Sequence, residues 1–325
     1  MLNAPIVEVS RLTRDFELAR RKGEATLRAV NDVSFDIKPG ETVGLVGESG
    51  SGKSTIGRMV IGLLPPSAGE IRLFGQAITG PDGRENLATV RKRVQFVFQD
   101  PYSSLNPRMR VGDAVAEPLD IAGGISRSAR RERVAELFEM VGLPSAFISR
   151  FPHEFSGGQR QRVVIARALA LNPSFVVCDE AVSSLDVSMQ AQIVNLLMDL
   201  QQALGVSYLF IAHDLAVVKT ISHRVAVLYA GEVVEFGEKR RIYSSPRHPY
   251  TEALLHAVPR PVVGRQRPVP IKGELLSALN RPVGCSLSPR CPRVMERCYR
   301  EKPLLREVEQ GWHVACHLHD QGVSA

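Results

Sequence analysis

What the sequence lacks narrows the field first. No run of roughly 18 or more apolar residues occurs, so no segment reads as a membrane-spanning helix and any hold on a membrane has to come through a partner. The opening MLNAPIVEVSRL has neither a basic leader nor a long apolar core, so no secretory signal is expected. No heptad run is present, and only one phosphate-loop pattern is found. The five cysteines include no C-x2-C pair, the spacing of ordinary zinc ribbons. Net charge is nearly absent from residues 1–238, which carry 26 Lys and Arg against 27 Asp and Glu. The overall +7 therefore belongs to residues 239–325, with 15 basic against 7 acidic side chains. Such a tail reads either as a surface for nucleic acid or membrane, or as the neighbour of something anionic.

The 325 residues suffice for one large domain and a smaller one, and 44% apolar content is that of a globular chain. Up to about residue 237, short apolar runs alternate with helical patterns. TVGLVG (42–47), FVVCD (175–179), YLFIA (208–212) and VAVLY (225–229) read as buried strands, and 54–64, 157–171 and 187–204 as helices. That alternation predicts an α/β fold with a mainly parallel core sheet. Residues 27–37 and 69–75 look antiparallel and are expected to form a β-subdomain. The polar, Pro- and Gly-broken stretch from 100 to about 165 looks like an inserted helical subdomain. Beyond 238 the composition shifts, with 10 of the 21 prolines in 239–325, so a boundary within 238–262 and a loop-rich second part are expected.

Residues 47–54, GESGSGKS, fit G-x-x-x-x-G-K-[ST] between a strand and a helix. Gly47, Gly50 and Gly52 would let backbone N–H groups, those of Ser49 and Ser51 among them, turn around a β-phosphate at a helix N-terminus. Lys53 would bridge the terminal phosphates, and Ser54, with Thr55 beside it, would hold Mg²⁺. The second half of such a site belongs at another strand end. There Asp179 would bind Mg²⁺ through water, and Glu180 could orient or deprotonate an attacking water.

FSGGQRQR (155–162) resembles the signature motif of ABC transporter ATPases, with Phe155 in place of the usual Leu. Gln99 in VFQDP resembles the Q-loop glutamine, SSLD (183–186) the D-loop, and His213 in IAHD the switch histidine. The resemblance implies an ABC-type nucleotide-binding domain over 1–238 that binds and hydrolyses ATP with Mg²⁺, Ser54 and Gln99 attending the metal. Glu180, His213 and Gln99 are then the catalytic set. Ser156, Gly157, Gly158 and Gln159 would face the γ-phosphate of a second ATPase subunit, with Asp186 at the seam. Phe16, in RLTRDF, is the candidate for stacking on adenine, or else a core residue of the β-subdomain.

The resemblance narrows further. QDPYSSLNPRMRV (99–111), PRHPYTEALLHAVPRP (246–261) and PVGCSLSPRCPRVMERC (282–298) are similar to segments of the oligopeptide, dipeptide and nickel importer branch. That branch implies a C-terminal extension over 239–325 and, as partners, a second ATPase subunit (a paralogue or a second copy), two membrane permeases and an extracytoplasmic substrate-binding protein. The place implied is the cytoplasmic face of the cell membrane, peripherally held. It also implies a [4Fe–4S] cluster on Cys285, Cys291, Cys298 and Cys316, whose negative charge the basic tail suits. Structural zinc, with His313, His317 or His319 replacing a cysteine, and free thiols stay open as alternatives. So does a soluble ABC ATPase acting on nucleic acid or ribosomes, although no nucleic-acid partner is expected.

Overall fold

The computed structural model describes residues 4–20, 23–257 and 281–320. In chain order the first elements are β1 (Val7–Arg20), β2 (Gly23–Ile37), β3 (Thr42–Val46), α1 (Lys53–Val60), β4 (Ala68–Leu73), β5 (Gln76–Ala77), α2 (Gly83–Val90) and β6 (Val94–Val97). Then follow α3 (Val111–Ala122), α4 (Arg127–Met140), α5 (Gly157–Leu169), β7 (Phe175–Asp179), α6 (Val187–Leu204), β8 (Ser207–Ile211), α7 (Leu215–Ile221), β9 (Arg224–Tyr229) and β10 (Glu232–Glu238). The last are α8 (Lys239–Ser244), α9 (Pro249–Ala257), α10 (Glu296–Arg300), β11 (Arg306–Glu309) and β12 (Trp312–Val314).

Two sheets result. The antiparallel sheet runs β2-β1-β4-β5, and the larger runs β11-β12-β10-β9-β3-β8-β7-β6. Strands β9, β3, β8, β7 and β6 are parallel to one another. Their continuous apolar runs are explained by burial on both faces. Successive side chains alternate between two cores: Phe175, Val177, Leu209 and Ile211 face the β-subdomain, while Val176, Cys178, Tyr208 and Phe210 face the helices. The helical subdomain contributes Val115, Leu137, Phe138 and Val163 to the second core.

The large sheet crosses the composition boundary at 238. Strand β12 pairs with β10, Glu235 against Val314, and β11 closes that edge. The joint is organised by Glu235, which is fully buried. Its carboxylate accepts the backbone N–H groups of Arg247 (2.9 Å) and His248 (3.0 Å) and the Trp312 indole N–H (3.0 Å). Burial still pushes this carboxyl above its ordinary range. The end of the 246–261 segment, from 258 onward, lies outside the described residues.

Candidate functional site: the phosphate loop and its carboxylates

The loop between β3 and α1 is glycine for steric reasons. A Cβ on Gly47 would lie 2.1 Å from the Leu228 carbonyl oxygen, and one on Gly52 would lie 2.5 Å from that of Ala29. Gly52 also has φ +100°, which L side chains rarely adopt. The loop is thereby pressed against β2 and β9, with Ser49 and Gly50 at its exposed rim. Lys53, the first residue of α1, is buried. Its ammonium donates to the carbonyls of Gly47 (2.8 Å) and Glu48 (2.9 Å), which holds it across the mouth of the loop. Burial lowers its pKa, and Glu180, Asp179 and Glu48 oppose that shift.

Strand β7 brings the acids. Asp179, its last residue, is buried and accepts the Ser54 hydroxyl at 2.8 Å. Burial raises its pKa, against the Ser54 hydrogen bond and the charges of Arg58 and Lys53. Glu180 leaves the strand with φ +48°, a strained conformation for a non-glycine, and its N–H is tied to the Ile211 carbonyl at 2.9 Å. That turn aims its carboxylate away from the sheet. One oxygen accepts from Gln99 Nε2 at 2.8 Å, and the other lies 3.7 Å from His213 Nδ1. A cavity of about 290 Å³ is lined by Ala29, Ser49, Gly50, Gly52, Lys53, Ser54, Thr55, Gln99 and Glu180. Residues from four separate stretches of sequence thus meet on one polar hollow at the carboxyl edge of the parallel strands, where α/β sheets bind ligands.

The expected signature residues sit elsewhere on the chain. Ser156 is the N-cap of α5: its hydroxyl accepts the Gln159 N–H at 3.4 Å, and Gln159 Oε1 accepts the Ser156 N–H at 3.0 Å. Asp186 caps α6 in the same manner, accepting the Met189 N–H at 2.9 Å. Neither cap lines the phosphate cavity. Phe16 does not line it either; it is half-buried in the β1–β2 hairpin with the Arg14 guanidinium 4.7 Å from its ring centroid. Ala29 was missed by sequence reasoning, because an alanine on a strand carries no chemical signal.

The four cysteines share one neighbourhood. Cys285 N–H donates to the Cys298 carbonyl at 2.7 Å. Burial, then the other cysteines, push the thiols of Cys285 to about 12 and Cys316 to about 11, and Cys291 is raised for the same reasons. Among the described residues, however, no three His, Cys, Asp or Glu side chains come close enough to hold a metal ion. Of the three candidate histidines, His313 has its Nδ1 buried without a hydrogen-bond partner, and the other two are engaged. His317 uses both ring nitrogens, on Asp320 (2.8 Å) and the Glu301 carbonyl (2.9 Å), and His319 engages the Arg247 carbonyl (2.9 Å).

Residues 30–183 match the family profile described as ABC transporter. A "Putative peptide import ATP-binding protein" of Brucella abortus is 61% identical over 316 residues, covering 97% of this chain and 94% of its own. The chain belongs to the ABC transporter family. This ABC ATPase also matches, over residues 234–298, the profile described as the C-terminal region of oligopeptide/dipeptide transporters. A "Putative oligopeptide transport ATP-binding protein" of Bacillus subtilis is 48% identical over 323 residues, covering 98% of this chain and 97% of its own. Among solved structures, the ATP-binding cassette MJ0796, as a post-hydrolysis dimer with ADP and Pi, is similar with TM-score 0.64 and 32% identity, covering 72% of this chain and 99% of its own. The chain is an ATP-binding and ATP-hydrolysing subunit with the ABC nucleotide-binding fold. No helix among its described residues is long and apolar enough to cross a membrane.

Proposed function

We propose that this ABC ATPase drives peptide uptake through two membrane permease subunits, held peripherally at the cytoplasmic face and fed by an extracytoplasmic binding protein. The match of its C-terminal region to oligopeptide/dipeptide transporters supports that cargo class. The observation that carries the chemistry is Glu180, held between Gln99 and His213 and facing the lysine-bearing loop. Lys53 and the loop amides would bind the terminal phosphates. Ser54 and Asp179, already 2.8 Å apart, would hold Mg²⁺ with Gln99, and the bound ion would neutralise charge on the β- and γ-phosphate oxygens. Glu180 would take the proton of the attacking water, with His213 fixing its orientation. Ser156, Gly157, Gly158 and Gln159 would complete the site of a second ATPase subunit, with Asp186 at the seam; the 82% exposure of Val187 next to Asp186 supports a contact there. Phe16 would sit beside the adenine.

The cysteine block would carry a [4Fe–4S] cluster. The basic surplus of residues 239–325, 15 Lys and Arg against 7 Asp and Glu, supports a group held by thiolates, whose negative charge it offsets. The fully engaged ring of His317 weighs against that residue as a zinc ligand. Iron and acid-labile sulfide on anaerobically purified protein would decide; stoichiometric zinc without sulfide would overturn the cluster.

Glu180→Gln tests the chemistry. Phosphate release by the assembled transporter should fall by ~10²–10⁴-fold while Mg-ATP binding persists. Near-normal turnover in that variant would remove Glu180 from the role. ATP-dependent uptake of labelled di- and oligopeptides into reconstituted vesicles tests the cargo, and stimulation of hydrolysis by no peptide would sink it.

A further inference from the structure

The glutamate that opens the phosphate loop, Glu48, is gripped from the C-terminal extension. Its backbone N–H donates to the Tyr250 hydroxyl at 3.0 Å. Its carboxylate receives Arg290 Nη1 at 3.3 Å. Both grips come from far along the chain, 202 and 242 residues away. Tyr250 is fully buried in α9, and its ring packs on Tyr229 at 4.6 Å between centroids. The Arg290 side chain is only 8% exposed and also reaches the Tyr229 hydroxyl at 3.4 Å. It stands directly before Cys291.

Glu48 is a pivot of the loop. Its carbonyl accepts Lys53 Nζ (2.9 Å) and the Ser51 N–H (3.2 Å). The opposite rim of the loop is fixed in parallel, because Gly231 N–H donates to the Ser51 carbonyl at 2.9 Å. The next residue, Glu232, accepts Ser286 Oγ at 2.7 Å and Lys302 Nζ at 2.9 Å, both from the extension. The N–H that Tyr250 accepts belongs to the Gly47–Glu48 peptide, whose carbonyl takes Lys53 Nζ at 2.8 Å. A buried hydroxyl fixing that N–H sets the orientation of this peptide, and the Gly47 carbonyl then presents Lys53 to the cavity in one place.

We propose that Tyr250 and Arg290 are positioning residues for nucleotide binding: the extension braces the phosphate loop through Glu48 and thereby sets affinity for Mg-ATP. The inference rests on the nucleotide assignment of the loop. It gives the extension a role in the ATPase site itself, separate from any metal it carries.

The test uses the full-length chain, with equilibrium binding of Mg-ATP and thermal unfolding measured side by side. Tyr250→Phe keeps the ring and removes the acceptor, so it should raise the Kd about three- to tenfold. In the assembled transporter the loss should fall mainly on KM rather than kcat. Arg290→Met should shift Kd in the same direction. In a Glu48→Gln background, Arg290→Met should add little, because the ion pair is already gone. Tyr243→Phe is the control: it removes another buried hydroxyl contact, to the Leu215 carbonyl at 2.6 Å, away from the loop. It should lower the Tm and leave Kd within about twofold. Wild-type Kd values for folded Tyr250→Phe and Arg290→Met would overturn the brace. Equal Kd losses in Tyr243→Phe would overturn it too, by reducing it to general stability. If Tyr250→Phe does not fold, additive Kd effects of Arg290→Met and Glu48→Gln give the overturning result. Failure of the unmodified chain to bind Mg-ATP would instead sink the nucleotide reading beneath it.

Discussion

The phosphate loop and the tip of α5 are both glycine-rich helix entrances, yet they are built differently. At Gly47 and Gly52, a side chain would collide with backbone carbonyls of the same chain. At Gly157, an added Cβ would meet only Leu185 Cδ2, at an ordinary 3.4 Å. The first glycines are required by this fold. Gly157 meets no such backbone, and at its neighbour Gly158 an added Cβ would run into the end of the flexible Met189 side chain, 1.7 Å from Cε, so the open space at Gly157 is what the proposed approach of a second subunit would use. The polar groups divide in the same way. Around the loop, Ser54 is joined to Asp179 and Gln99 to Glu180 across distant stretches of sequence, and Lys53 to the loop's own carbonyls. At the α5 tip, Ser156 and Gln159 bond only to each other, in an exposed capping box. On the proposed function, one half-site is assembled by the chain's own fold and the other is offered to a second subunit.

Gly157→Asp breaks that comparison most sharply. A carboxylate in the first turn of α5 favours the helix dipole, so the Tm should hold or rise slightly. Mg-ATP binding to the isolated chain should be unchanged. Hydrolysis by the assembled pair should nevertheless fall by ~10²–10³-fold, because a negative charge replaces open space where a γ-phosphate would dock. Full hydrolysis in Gly157→Asp would mean that the tip faces no phosphate.

The motifs were more legible than the contacts that join them. GESGSGKS, CDE and FSGGQ are contiguous, so their chemistry and their strand–loop–helix context can be read locally. The five parallel strands were legible for the same reason: burial on both faces makes unbroken runs such as FVVCD. What joins them is non-local. The Gln99–Glu180 hydrogen bond spans 81 residues, and nothing near either residue states the pairing. Strands β11 and β12 have four and three residues, too few for a period-2 pattern, so their addition to the main sheet could not be seen. The HPYT segment was legible as a branch marker, whereas its buried tyrosine's reach to Glu48 depends on the packed sheet edge. The cysteines were legible by count and proximity in sequence, but spacing alone does not fix how closely four sulfurs gather.

Acid should loosen the loop side and spare the tip. His248, beside Tyr250, is fully enclosed, and burial, then the nearby charges of His319 and Arg293, hold its pKa down at about 3. Its folded pKa is below the unfolded value, so its stabilisation is present above about pH 6.5 and is lost as pH falls toward 3. At pH 5 the loss is on the order of 2 kcal/mol, or ~3 °C in Tm for a chain of this size. Glu235 works in the opposite direction, since its raised pKa adds stability as pH falls. The measurement is therefore a difference between wild type and His248→Asn, each scanned from pH 7 to 5. The variant should lose less Tm over that interval, and identical slopes would show that His248 does not titrate with unfolding.

The smallest effect separates what the tip does for its own helix from what it offers outward. Ser156→Ala removes the N-cap acceptor and should cost about 1 kcal/mol, a shift of only ~1–2 °C. Ser156→Asp supplies an acceptor again and adds favourable charge at the helix N-terminus, so its Tm should return to the wild-type value. If capping were the whole role of Ser156, hydrolysis would return with it. On the arrangement argued for α5, it should not, because the restored cap carries a negative charge into the space kept for a phosphate. Recovery of both Tm and phosphate release in Ser156→Asp would reduce this serine to a helix cap and erase the contrast between the two glycine-rich entrances.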